Sequence, residues 1–103
     1  MASYVFIYKG GSMAPTPEEQ QAVMAAWGAW FGTLGAAVKE PGAPFGPSKS
    51  VASNGSVSDG ASSKAGGYSV IEADDLARAA DMAKGCPVLG AGGSVEVYET
   101  IPM

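Results

Sequence analysis

The chain contains no histidine, which removes the side chain that most often moves protons near neutral pH and most often ligates transition metals. It has one cysteine, so no internal disulfide can form. Without an imidazole to activate its thiol, Cys86 reads as a small buried residue at a helix exit and not as a nucleophile. Charge is scarce: 16% of the 103 residues are charged, against 47% hydrophobic, so one face of the fold is expected to be covered by another subunit. Basic residues are scarcer than acidic ones, six against ten, giving a net charge of −4. That balance lacks the electrostatic footprint of a nucleic-acid-binding protein. The carboxylates at Glu18-Glu19, Asp74-Asp75, Glu96 and Glu99 fall at helix starts or along a strand without ligand spacing, so no metal is expected. No cofactor is expected either. Gly10-Gly11 lies between a strand and a helix, but neither GxGxxG nor GK[ST] is present to make it a phosphate loop.

What is present fits one α+β domain spanning residues 1–103. Tyr4 to Lys9 is aromatic and β-branched and is bounded by Gly10-Gly11, as a strand with its exit turn would be. Tyr4, Phe6 and Tyr8 point one way and Val5 and Ile7 the other, so both faces of this strand need cover. Two helices can shield only one face of a four-stranded sheet. A second copy of the chain is therefore expected on the other face.

Thr16-Pro17-Glu18-Glu19 is a capping box with proline at the first helical position. The helix it opens is expected to run to Val38, with Val23, Trp27, Trp30, Phe31, Leu34 and Val38 as a bulky stripe facing the sheet. No residue from Ala22 to Val38 is charged, and Gly28 with Gly32 matches the small-xxx-small pattern of membrane helix pairs. The stretch is short for a bilayer and carries large residues on one side only, so it reads as a buried amphipathic helix whose glycines permit close packing. No membrane partner follows. Met1-Ala2-Ser3-Tyr4 enters a strand pattern directly, without the pattern of an export signal, and a cytoplasmic location is expected.

Residues 42–50, rich in glycine and proline, read as a loop leading into a second strand over Lys49 to Ser53. Asn54-Gly55 supplies a hairpin turn, Ser56 to Ser58 the returning arm, Asp59-Gly60 its end, and Ala61 to Gly67 a mobile loop. Gly67 to Ala73 is the third strand. Asp74 or Asp75 caps a second helix with Leu76, Ala79, Ala80 and Ala83 on its apolar face, and Gly85 is expected to end it in a left-handed conformation. After Pro87 and a turn at Gly90 to Gly93, Ser94 to Ile101 is the last strand. The order is βαββαβ, a ferredoxin-like arrangement with a hairpin at its centre.

The Tyr4-Val5-Phe6-Ile7-Tyr8 strand, Pro17-Glu18-Glu19, Asp59-Gly60, Gly67-Tyr68, Glu72-Ala73-Asp74, Cys86-Pro87 and Gly92-Gly93-Ser94-Val95-Glu96-Val97 together resemble the YciI-related, or DGPF-domain, family. The resemblance covers nearly the whole chain. It implies a ferredoxin-like antiparallel four-stranded sheet with two helices on one face, pairing as a dimeric α+β barrel. The signature Asp-Gly-Pro-Phe survives only as Asp59-Gly60, followed by Ala61-Ser62. In some branches a His and Asp pair is the suspected acid/base machinery for dehalogenation or isomerisation of ring-derived acids. A chain without histidine has no such dyad.

Two functions follow as expectations. The first is a homodimer that binds a small, partly aromatic or carboxylated molecule in a cleft rimmed by Tyr8, Phe45 and Tyr68. The second is an acid/base lyase or isomerase acting on a small organic acid, with Asp59 as the catalytic carboxylate beside Tyr8 or Tyr68. Lys9, Lys49 or Lys64 would compensate an anionic ligand locally.

Overall fold

Strand β1 (Ala2–Lys9) forms the middle of the molecule, as its aromatic and β-branched run requires. The computed structural model describes residues 2–10 and 16–101. Helix α1 (Pro17–Leu34) follows, then β2 (Val38–Pro44), β3 (Lys49–Val51), β4 (Val57–Asp59), β5 (Ala65–Ala73), α2 (Leu76–Ala83) and β6 (Ser94–Glu99). β2, β5, β1 and β6 lie side by side in that order, antiparallel throughout. Both helices cover one face, which makes this the expected ferredoxin-like α+β fold. β3 and β4 pair only with each other, as a two-stranded hairpin inserted between β2 and β5.

The helix-facing row of β1 is Tyr4, Phe6 and Tyr8, all buried. Directly across from them on β5 stand Ile71, Ser69 and Gly67. Large side chains thus meet progressively smaller ones toward the Tyr8 end of the sheet. α1 fills part of the difference with its tryptophans: Trp30 stacks on Phe6 with ring centroids 6.1 Å apart, and Trp27 meets Tyr8 edge-on at 4.9 Å. The Trp30 indole N–H donates to the Met82 carbonyl oxygen at 3.0 Å, tying α1 to the end of α2.

The helix starts follow their caps. Thr16 Oγ1 accepts from the Glu19 N–H at 3.1 Å, and Asp75, not Asp74, accepts from the Arg78 N–H at 2.7 Å. The ends differ from expectation. α1 stops at Leu34, because Gly35 takes a positive φ of 56° and a short 3₁₀ turn over Gly35–Ala37 leads straight into β2. Val38 is a strand residue, and Val23 is 43% exposed at the far end of the intended stripe. On α2, Ala79 and Ala83 are buried, whereas Leu76 and Ala80 face outward.

Gly85 is not left-handed. A Cβ there would stand 3.0 Å from Trp30 Cδ1, so glycine serves close approach of the indole. Gly28 and Gly32 have nothing within 4 Å of a Cβ and open outward from the described chain. The last strand ends at Glu99, not Ile101. The Gly10-Gly11 turn falls partly outside the described residues.

The largest correction concerns the second strand of the sheet. It is β2 (Val38–Pro44), not the Lys49 to Ser53 segment, and most of the expected loop from Gly42 is part of it or only four residues of connection. Pro41 and Pro44 are tolerated because β2 is an edge strand, where a missing N–H costs no ladder bond on the solvent side. Its pairing with β5 shifts register twice, between Val38 and Glu40 and between Glu40 and Ala43. β5 in turn begins at Ala65, inside the segment expected to be a mobile loop.

Opposite the helices no described element covers the sheet, which leaves that face bare among the described residues. Val5 stands in register between Val70 and Tyr98 on this face, with Ile7 two residues along β1 and the Lys9–Glu96 and Lys39–Glu72 ion pairs, each 3.5 Å, toward its two edges. Tyr98 is 57% exposed. The molecule is accordingly a plate, 44 × 40 × 19 Å.

Candidate functional site

The small side chains at the start of β5 leave room that α1 does not fill. Gly67 lies opposite Tyr8 with no side chain of its own, and β2 bulges just beyond it, between Glu40 and Ala43. The result is a cavity of about 400 Å³ between α1, β2, β5 and the turn after α2. Tyr8, Trp27, Phe31 and Val88 wall one side, and residues 41–44 and 66–68 the other. Its volume falls in the range of small-molecule sites. Among the described residues none that lines it is charged.

Two glycines shape the β2 wall. Gly42 has a φ of +77°, and a Cβ there would stand 1.8 Å from the Tyr68 carbonyl oxygen, so the two strands approach more closely than any side chain permits. At Gly67 a Cβ would come within 3.1 Å of the Ala43 carbonyl oxygen. Edge and third strand are thus pressed together beneath the cavity.

The polar groups of the wall form a short chain. The Tyr8 hydroxyl donates to Ser69 Oγ at 2.7 Å, and the Ser69 hydroxyl donates to the Pro41 carbonyl oxygen at 2.5 Å. Ser69 is fully buried, so this bonding satisfies a side chain that would otherwise be costly there. Burial pushes the Tyr8 hydroxyl up to about 12, outweighing the opposite pull of its bond to Ser69. Tyr8 stays neutral across the physiological range.

Of the residues expected to rim one cleft, the structure brings Tyr8 and Tyr68 to the same cavity, but from opposite faces of the sheet. Tyr68 pairs with Ile7 and alternates with Gly67 and Ser69, which turns its ring to the bare face. There its hydroxyl donates to Glu40 Oε1 at 2.6 Å, which raises its pKa, and its ring stacks on Phe45 at 5.8 Å. Phe45 is 47% exposed and borders a separate hollow at the base of the hairpin with residues 46–48.

Asp59 ends β4 on the inserted hairpin, its side chain 92% exposed and paired with Lys49 at 2.6 Å. It does not reach the cavity. Lys9 is paired with Glu96, and none of Lys9, Lys49 and Lys64 lines the cavity. Cys86 is buried, and desolvation lifts its thiol to about 11, the condition of an inert structural cysteine.

Trp27 and Phe31 at the cavity, and Ser69 bonded to Tyr8 behind it, are residues that the sequence pattern does not single out for a site. The two aromatics read as core, and the only signal that could have separated them was the Gly67 and Ser69 pair on the strand beneath, which is too small to fill the space under α1. Among the described residues no group of three or more metal-binding side chains comes together, and no helix is long and apolar enough to cross a membrane.

The model of the YCII-related domain matches residues 1–103, the whole chain. The chain belongs to this family. No curated protein matches it. The cavity's chemistry is read from this YCII-related domain's own residues: among the described residues, an aromatic, uncharged wall in which the Tyr8 hydroxyl is fixed by Ser69.

Proposed function

We propose that this YCII-related domain binds a small neutral, flat molecule in the cavity beneath α1. The observation that carries this reading is the composition of the wall: Tyr8, Trp27 and Phe31 offer ring faces and edges, and none of the described lining residues is charged. A carboxylate placed there would lose hydration with no counter-charge in return, a cost of several kcal/mol. The carboxylated ligand allowed by the sequence is therefore the less favoured. Titration with 2-naphthol and 2-naphthoate, followed by tryptophan fluorescence and amide NMR shifts, tests this. Saturable binding of 2-naphthol is expected, with 2-naphthoate at least roughly tenfold weaker. Equal affinities, or tighter binding of the carboxylate, would refute the neutral-ligand reading.

The same geometry gives little support to acid/base turnover by Asp59, which is solvated and already paired with Lys49. Tyr8 is likewise a poor proton donor or base near neutral pH, since its pKa lies near 12. Binding rather than catalysis is the function these residues favour.

We also propose that two copies pair through their bare sheet faces, with Val5, Ile7, Val70 and Tyr98 at the centre and the two ion pairs near the rim. Apolar centre and polar rim are the usual composition of a protein interface. In gel filtration with light scattering the protein is expected at twice its 10.3 kDa chain mass. The variant Val5→Lys, which places a charge in mid-face, is expected to return it toward one chain mass with its fold intact. A wild-type protein that stays at single-chain mass at micromolar concentration would exclude this pairing.

A further inference from the structure

The polarity of the hydrogen-bond chain in the cavity wall is fixed by its last member. A carbonyl oxygen only accepts, so the Ser69 hydroxyl must give its proton to Pro41. Ser69 Oγ then has lone pairs but no proton left for Tyr8. The Tyr8 hydroxyl must in turn give its proton to Ser69. Tyr8 is left with an oxygen that accepts and a proton already committed.

From this we infer that Tyr8 is a specificity residue that selects, among neutral flat molecules, those carrying a hydrogen-bond donor: phenols, indole-like N–H groups and aryl amines, over ethers and N-alkylated isosteres of the same shape. The inference rests on the reading that the cavity binds such molecules and adds which of them it prefers. Both ends of the chain, Tyr8 and Pro41, belong to the wall; the hydroxyl of Tyr68, the other tyrosine among the described lining residues, is turned to the opposite face of the sheet and bonded to Glu40. Edge-on contact with Trp27 at 4.9 Å and with Trp30 at 6.2 Å fixes the ring that carries it. A ligand hydroxyl that leaves water is compensated at the Tyr8 oxygen by donating to it. A ligand that only accepts meets an oxygen with no proton to offer, and both groups go unpaired. Sites built in this way discriminate strongly between a donor and its alkylated analogue, because the buried partner is left unsatisfied. Burial keeps the hydroxyl protonated, so the preference is expected to hold unchanged across neutral pH.

The test compares 2-naphthol with 2-methoxynaphthalene on the wild-type protein and on Tyr8→Phe, by fluorescence titration. The wild type is expected to favour 2-naphthol by roughly tenfold, the worth of one well-placed hydrogen bond. In Tyr8→Phe that preference is expected to vanish through weaker 2-naphthol binding, with 2-methoxynaphthalene little changed. A preference that persists in Tyr8→Phe would come from the bulk of the methyl group and would overturn the inference, as would equal affinities in the wild type. If neither probe binds, the cavity reading itself fails and the inference falls with it. Ser69→Ala gives an independent check, since it frees the Tyr8 proton: relative to wild type, 2-methoxynaphthalene is expected to gain on 2-naphthol. An unchanged ratio in a protein whose amide spectrum remains dispersed would contradict the fixed polarity.

Discussion

Gly42→Ala is expected to lower the unfolding free energy by roughly 3–5 kcal/mol, a large share of what a domain of this size has to lose. Two costs combine. A φ of +77° is strained for any residue with a Cβ, and that Cβ would stand 1.8 Å from the Tyr68 carbonyl oxygen and 2.7 Å from its carbon. These are backbone atoms of β5, so no side chain can rotate out of the way. Relief requires β2 to withdraw from β5, which would also pull the Pro41 carbonyl from Ser69 and open the cavity. Gly28→Ala on α1 is the matched control: nothing lies within 4 Å of its Cβ, and the helix is expected to gain about 0.5–1 kcal/mol. Urea unfolding of the two variants measures both. A Gly42→Ala protein as stable as wild type would mean that the β2 bulge is not built as described.

Trp30→Ala is expected to cost a further large amount, about 3–5 kcal/mol, by removing the indole between β1 and the end of α2. Trp30 is buried, stacks on Phe6 and donates to the Met82 carbonyl oxygen, so its loss leaves both a void and an unpaired acceptor. Trp30→Phe keeps a ring without the N–H and is expected to recover most of the packing, leaving a deficit of about 1–2 kcal/mol. If both variants unfold at the same denaturant concentration, the hydrogen bond to Met82 carries more than the packing does, contrary to this account.

The elements that sequence pattern located share a strong local signal. β1 announces itself by its aromatic and β-branched run, α1 and α2 by capping residues whose side chains make the expected bonds, and β5 and β6 by short β-rich runs between glycines. β2 was illegible for a physical reason. Pro41, Gly42 and Pro44 are loop residues by propensity, and they occupy a strand only because it is a bulged edge held against β5 by long-range pairing. With β2 hidden, the Asn54-Gly55 turn drew the centre of the fold to the hairpin that is in fact inserted there. The candidate site was legible in the same measure. Tyr8 stands out in the sequence as a strand end next to a glycine turn, whereas Trp27 and Phe31 are indistinguishable from core until the emptiness above Gly67 is seen. Asp59 was picked out by a family motif, and its pairing with Lys49 across the hairpin depends on a register that motif does not encode.

Whether the cavity beneath α1 or the bare sheet face receives the ligand is read from intermolecular nuclear Overhauser effects between 2-naphthol and the protein. Cross-peaks to the ring protons of Tyr8, Trp27 and Phe31 and to the Val88 methyl groups are the predicted result. Cross-peaks confined to Val5, Ile7, Val70 and Tyr98 on the opposite face would contradict the cavity reading.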